Sequence, residues 1–334
     1  LLFITLIGVA CAPIFIYVFA PGFSSDADKQ LLAADMLRIT FPYIFFISLT
    51  AMAGGILNTY GSFAVPAFTP VLLNLALIGF AIFLSPQLEE PITALAWAVL
   101  VAGGLQLLFQ FPFLLRLGLF PRPGLHRDPE GVQRILRLML PTLFAVSITQ
   151  INLLIDTLIA SFLETGSIAW LYFSDRLMEF PLGVFGVALA TVILPSLSQR
   201  YAGDDKQAYS ATMDWALRLV FLISIPAMAG LAILSIPMLS TLFQYNAFSA
   251  YDVDMASRSL VAYALGLPGF IYIKVLASGF FSRQDTKTPV KIGVVAMLTN
   301  VVMNLLLVGS MAHAGLALAT SLAAYVNAAM LYFI

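Results

Sequence analysis

The sequence predicts an all-α polytopic membrane protein. Ten apolar runs, each long enough to cross a ~30 Å hydrocarbon core, follow one another with short polar breaks. The chain is 61% hydrophobic and only 10% charged, where a soluble domain carries about 25% charged residues. The breaks also alternate in charge, as the two sides of a membrane require.

The runs cover 1–20, 33–58, 66–84, 92–117, 134–161, 167–197, 210–236, 256–281, 289–309 and 313–334. Pro13, Pro42, Pro112, Pro141, Pro226 and Pro268 interrupt them, which membrane helices tolerate when neighbours satisfy the freed carbonyls. Asp26 and Asp28, Glu89 and Glu90, Glu164, then Asp252 and Asp254 mark one side. Arg116, Arg122, Arg127, Arg134 and Arg137, then Arg200 and Lys206, then Arg283, Lys287 and Lys291 mark the other. The positive-inside rule places this second set in the cytoplasm. The break from Tyr60 to Ala64 is uncharged and says nothing about side.

Pro121 to Gly131, PRPGLHRDPEG, reads as a linker. The chain on either side of it shows a faint repeat. Pro66 and Pro289 are 223 positions apart, and Leu95, Ala96, Ala98 and Ala102 match Leu316, Ala317, Ala319 and Ala323 at a shift of 221. Spans one to four then correspond to spans seven to ten. The expectation is two six-helix lobes: 1–120 as a first lobe lacking its first two helices, 121–133 as a cytoplasmic linker, and 134–334 as the second lobe. The chain is accordingly expected to be an internal piece of a longer protein. Duplicated lobes suit transporters, whose sites lie between the repeats.

The sixth span carries Asp175, Arg176 and Glu179 inside an apolar run. From a helix start near Ser167, Arg176 lies about 14 Å along the axis, close to mid-membrane. An arginine there costs roughly 2.5–3.5 kcal/mol on insertion scales and should face protein or water. At 100° per residue, Arg176, Glu179, Gly183, Gly186 and Ala190 share one face, a charge pair followed by small residues that admit a close neighbour or a ligand. Pro181 is expected to kink the helix below the charges. A structural ion pair accounts for the acids but not for three ionisable groups at this depth, which favours a polar pathway.

A second polar set is expected in the second lobe. Asp156 lies inside the fifth span with no basic partner on its helix, Asn300 and Asn304 sit one turn apart on the ninth, and Thr320 lies on the tenth. Such oxygens suit a monovalent cation; plain interhelical hydrogen bonding with a protonated Asp156 is the competing reading.

Other features exclude more than they assign. A net charge of −1 argues against a nucleic-acid partner. The single cysteine, Cys11, sits in an apolar run and rules out a disulfide framework. His126 in the linker and His313 in a short break read as surface residues. No phosphate-binding loop, nucleophile elbow or zinc signature is present. The acidic breaks at Leu88–Pro91 and Tyr251–Asp254 lack the basic neighbours a diphosphate-handling glycosyltransferase would need, and read as solvated loops.

FSDRLMEFPLGVFGVALATVILPSLS, from Phe173 to Ser198, closely resembles the signature of the MurJ/MviN family of lipid II flippases. LNTYGSFAVPAFTPVLLN (Leu57 to Asn74) and FFSRQDTKTPVKI (Phe280 to Ile292) resemble two further family stretches, and ALAWAVLVAGGLQLLFQFP and MDWALRLVFLISIPA fit as well. The resemblance covers essentially the whole chain. It implies a bacterial inner-membrane, multi-pass protein of about fourteen helices with two lobes around a cationic cavity. It also implies lipid II, the polyprenyl-diphosphate-linked peptidoglycan precursor, as substrate, moved to the periplasmic leaflet by alternating access without chemistry. Arg176 matches a cavity arginine of the family, with Glu179 and Asp175 beside it. Asp156, Asn300, Asn304 and Thr320 match a sodium site of some members, so sodium is the one candidate cofactor. Membrane lipids and other cell-wall synthesis proteins are the candidate partners. The alternatives are an exporter of another polyprenyl-linked oligosaccharide or drug, and a membrane glycosyltransferase or polymerase of cell-wall synthesis.

Overall fold

A computed structural model describes residues 1–119, 139, 143, 147 and 150–334. The linker from Pro121 to Gly131, and most of the fifth span before Gln150, lie outside the described residues. The described residues form helices and no strand. The chain divides into two compact units, Leu1–Pro129 and Glu130–Ile334.

The first unit contains α1 (Leu2–Ala10), α2 (Ala12–Phe19), α3 (Ala27–Thr40), α4 (Tyr43–Thr59), α5 (Ala64–Phe83) and α6 (Thr93–Arg116). α1 and α2 meet at a 67° bend and are long and apolar enough to cross a membrane only when taken together. Pro13, within the first turn of α2, cannot donate a hydrogen bond back into α1. Asp26 caps α3 by accepting from Lys29 N at 3.2 Å. Inside α5, Pro70 leaves the Pro66 carbonyl without its helical donor, and Thr69 Oγ1 supplies one at 2.8 Å. Gln106 of α6 in turn donates to the Thr69 carbonyl at 2.9 Å and accepts from Tyr43 Oη at 3.3 Å. The Thr69 hydroxyl thus serves the carbonyl that the proline frees, as membrane helices require.

The second unit contains α7 (Gln150–Ala160), α8 (Ser167–Pro181), a π-helical segment (Leu182–Val187), α9 (Ala188–Ala202), α10 (Lys206–Ile233), α11 (Ser235–Phe243), α12 (Ala250–Ser282) and α13 (Lys287–Phe333). α12 is its axis: 61% of its most apolar window is buried, against 22–28% for the other long helices of the unit. Between Ser259 and Ile273 it is apolar, aromatic or small on every side, the pattern of a core helix. Gly266 lies against Ser321 and Gly269 against the Ala324 backbone, so α13 approaches closely.

α13 is two antiparallel arms that meet at a break of one residue. A straight 47-residue helix would be about 70 Å long. Asn300 and Thr320 would stand ~30 Å apart in it, but they are hydrogen-bonded at 3.0 Å. The reversal is at Ala312 (φ +49°, ψ −130°), a costly backbone conformation for an alanine. With that break, the bent first pair and the described end of the fifth span, the helices correspond to the ten spans expected from hydropathy.

Candidate functional site

The charged group of α8 sits on the tenth residue of a 36-residue helical run, Ser167–Ala202. Arg176 Nη1 donates to Glu179 Oε2 at 2.7 Å, and its guanidinium stacks over the Tyr172 ring at 4.9 Å from the centroid. Both side chains of the pair remain about half exposed, 54% and 49%. Among the described residues Arg176 forms no ion pair with Asp175. Asp175 is half-buried and within electrostatic reach of Asp156 on α7 and of the buried Tyr263 on α12. One turn of helix thus presents an open, pre-oriented arginine outward and a carboxylate inward.

The small residues below do not form the single face expected of a regular helix. Pro181 is buried and the backbone passes through it helically; the irregularity is the π segment that follows. An i→i+5 turn inserts a residue and rotates what comes after it. Gly183 is exposed, with no atom within 4 Å of where its Cβ would be, whereas Gly186 is buried against Ile271 of α12. Ala190 lies further down, on the wall of a cavity of about 500 Å³ shared with Lys274. A π turn at a proline is invisible to a 100° count, which is why the sequence pattern missed it.

The second polar set does converge. Asn304 Nδ2 donates to Asp156 Oδ1 at 2.6 Å. One end of the Asn300 carboxamide lies 3.0 Å from Thr320 Oγ1; the other lies 2.9 Å from Asn304 Nδ2, 3.0 Å from Asn152 Oδ1 and 3.3 Å from Asp156 Oδ1. Asn304 Oδ1 is buried with no hydrogen-bond partner. Five oxygen-bearing side chains from α7 and both arms of α13 therefore meet in one place. Asn152 was not among the expected members, although its spacing of four from Asp156 on the same helix would have suggested it.

His313 is not the surface residue expected. It is 4% exposed, with Nδ1 2.7 Å from Ser259 Oγ and its ring edge-on to Trp170 at 4.9 Å. The break it follows is a single residue, so His313 already belongs to the packed second arm of α13. Trp170 in turn donates to Asp252 Oδ1 at 2.7 Å, and Asp252 closes a capping box with Ser249 at the start of α12. The expected acidic loop at Tyr251–Asp254 is thus the first turn of α12, where Asp254 pairs with Arg258 at 2.8 Å.

The family profile described as lipid II flippase MurJ matches residues 1–334. The chain belongs to the MurJ family. A probable lipid II flippase MurJ of Vibrio cholerae is 50% identical over 98% of the chain, and a lipid II flippase MurJ of Burkholderia cenocepacia is 46% identical over 98%. The chain spans 64% of the length of each of these relatives. Among solved structures, a lipid II flippase MurJ in an inward closed conformation aligns with 99% of the chain and 68% of its own length, at TM-score 0.86 and 28% identity. An inward-facing multidrug resistance MATE family transporter aligns at TM-score 0.79 and 17% identity, covering 99% of the chain and 78% of its own length, a likeness of fold alone. With seven helices long and apolar enough to span a bilayer, and an eighth from the bent pair, this MurJ-family chain is a multi-pass protein of the bacterial inner membrane.

Proposed function

We propose that the chain supplies most of a flippase that moves lipid II from the cytoplasmic to the periplasmic leaflet by alternating access. The observation that carries this reading is Arg176: a guanidinium inside a 36-residue apolar helical run, fixed by Glu179 and Tyr172 yet still half exposed. Guanidinium pairs bidentately with phosphate oxygens, and a diphosphate links the saccharide of lipid II to its tail. Glu179 orients the arginine; Asp175 faces the interior and acts only through the local field. In this reading the two compact units belong to two lobes, 1–120 and 134–334, joined by 121–133, whose rocking alternates access. The π segment after Pro181 and the close contact at Gly186 give α8–α9 a place to flex. No covalent bond changes, so the reading is of a transporter rather than an enzyme.

The oxygen cluster around Asp156 supports a monovalent cation, sodium by family likeness. One carboxylate, amide oxygens and a threonine hydroxyl suit a hard cation, and the orphaned Asn304 Oδ1 is a buried acceptor awaiting a positive partner. Asp156, Asn152, Asn300, Asn304 and Thr320 would hold it, and its charge would offset that of Asp156. The test of the main reading is complementation in cells whose only copy of the gene carries Arg176→Ala. Loss of growth, with the protein inserted at its normal level and lipid II accumulating on the cytoplasmic side, is expected. Normal growth would leave Arg176 a structural residue.

A further inference from the structure

Three spans end at one corner of the second unit, and between their ends lies a cavity of about 230 Å³. Arg200 enters it from the last turn of α9, Lys206 from the first turn of α10 and Arg283 from the end of α12. The site is separate from the charged turn of α8, since Arg200 is about 35 Å further along the same helical run than Arg176.

Among the described residues none of these three cations is in an ion pair. Two aspartates stand beside them, yet Asp205 is occupied as the N-cap of α10, accepting from Ala208 N at 2.9 Å. The arginines are braced from behind. Arg283 Nε donates to the Gly279 carbonyl at 3.3 Å and its guanidinium stacks on Phe280 at 4.9 Å, while Arg200 Nε reaches Ser196 Oγ at 3.4 Å. Both are thereby held at Nε, with their terminal nitrogens available. Tyr209, fixed by hydrogen bonds to Gly279 and Ser282, and Tyr201, exposed at the rim, form the aromatic wall. Tyrosines at the ends of spans sit at head-group depth.

We propose that this corner binds the phosphate of an anionic phospholipid in the cytoplasmic leaflet. The basic side of the chain is its cytoplasmic side by the positive-inside rule, and basic pockets between spans on that side take phosphorylated lipid head groups. The aromatic wall of Tyr201 and Tyr209 gives the lipid's glycerol region a contact that a free anion would not use. Rigid cations placed where α9, α10 and α12 end would let one lipid tie three helices together.

The experiment is phosphatidylglycerol binding to the full gene product in detergent, measured by native mass spectrometry. Each charge removed is expected to weaken binding about fivefold. Arg200→Gln with Lys206→Gln and Arg283→Gln should therefore lose roughly 100-fold. Asp204→Asn should instead bind about fivefold more tightly. Asp204 has φ +50°, which asparagine tolerates, and a folding defect cannot mimic a gain. Equal binding by the parent and the triple variant, or no gain in Asp204→Asn, overturns the proposal. Displacement of the lipid by inorganic phosphate at equal concentration would show a free-anion site instead. A response to polyprenyl diphosphate but not to phosphatidylglycerol would assign the corner to the substrate's path.

Discussion

The hairpin in α13 can be tested with single methyl groups. A Cβ at Gly315 would lie 2.7 Å from the Leu307 carbonyl oxygen and 2.8 Å from its carbon. Those atoms are backbone of the opposite arm, so no rotamer change relieves the clash, and overpacking of this kind costs about 1–3 kcal/mol. Gly309, on the same helix, has no atom within 4 Å of where a methyl group would stand. Gly309→Ala should therefore gain the ~0.5–1 kcal/mol that alanine holds over glycine in a helix. The helix gain is common to both variants, so they should separate by the overpacking cost, roughly 1–3 kcal/mol. At ~2–4 °C per kcal/mol for a unit of this size the gap in melting temperature is about 2–12 °C. The assay is a thermal ramp in detergent followed by tryptophan fluorescence. If Gly315→Ala melts at or above Gly309→Ala, the two arms of α13 do not meet as described.

Further predictions address the other sites. Sodium should raise the melting temperature of the parent where potassium does not, and the effect should vanish in Asp156→Ala; an equal sodium shift in both proteins would remove the cation from the account. Cysteines at Asp26, Glu89 and Glu164 should react with a periplasmic thiol reagent and cysteines at Lys206 and Lys287 should not, so labelling at Lys287 from outside would invert the topology. Asp285, which accepts from Thr288 and from the Lys287 amide at the start of α13, is held below the usual carboxylate range mainly by its bonds from Thr288. A depressed folded pKa contributes stability above the unfolded value of about 3.9 that is lost as pH falls through the folded one. The melting difference between the parent and Asp285→Ala should thus be constant near neutral pH and shrink only below about pH 4.

The spans, their order and the two polar sets were legible because hydropathy and helical spacing act locally. Asp156, Asn300, Asn304 and Thr320 could be grouped from sequence since each is a polar residue in an apolar run, where interhelical hydrogen bonding is the only alternative to isolation. What escaped was set by backbone irregularity. The π turn after Pro181 rotates Gly183 away from Gly186, and the one-residue reversal at Ala312 buries His313 against Trp170. Neither leaves a signal in periodicity, because both depend on what packs across from them. The division of labour between Arg176, open beside Glu179, and Asp175, turned inward, is likewise tertiary: adjacent residues on a helix point 100° apart, and only the neighbouring helices decide which side is wet.

The claim on which the account turns is that the Arg176 guanidinium binds the diphosphate of the lipid-linked precursor. Its most direct test is the affinity of the full gene product in nanodiscs for a short-chain analogue of lipid II, compared across the parent, Arg176→Lys and Arg176→Ala. Charge-assisted bonds of this kind contribute about 1.5–3 kcal/mol each, so Arg176→Ala should bind at least tenfold more weakly. Arg176→Lys should fall between, having charge without the planar fork. Affinities that are equal across all three proteins would contradict the account.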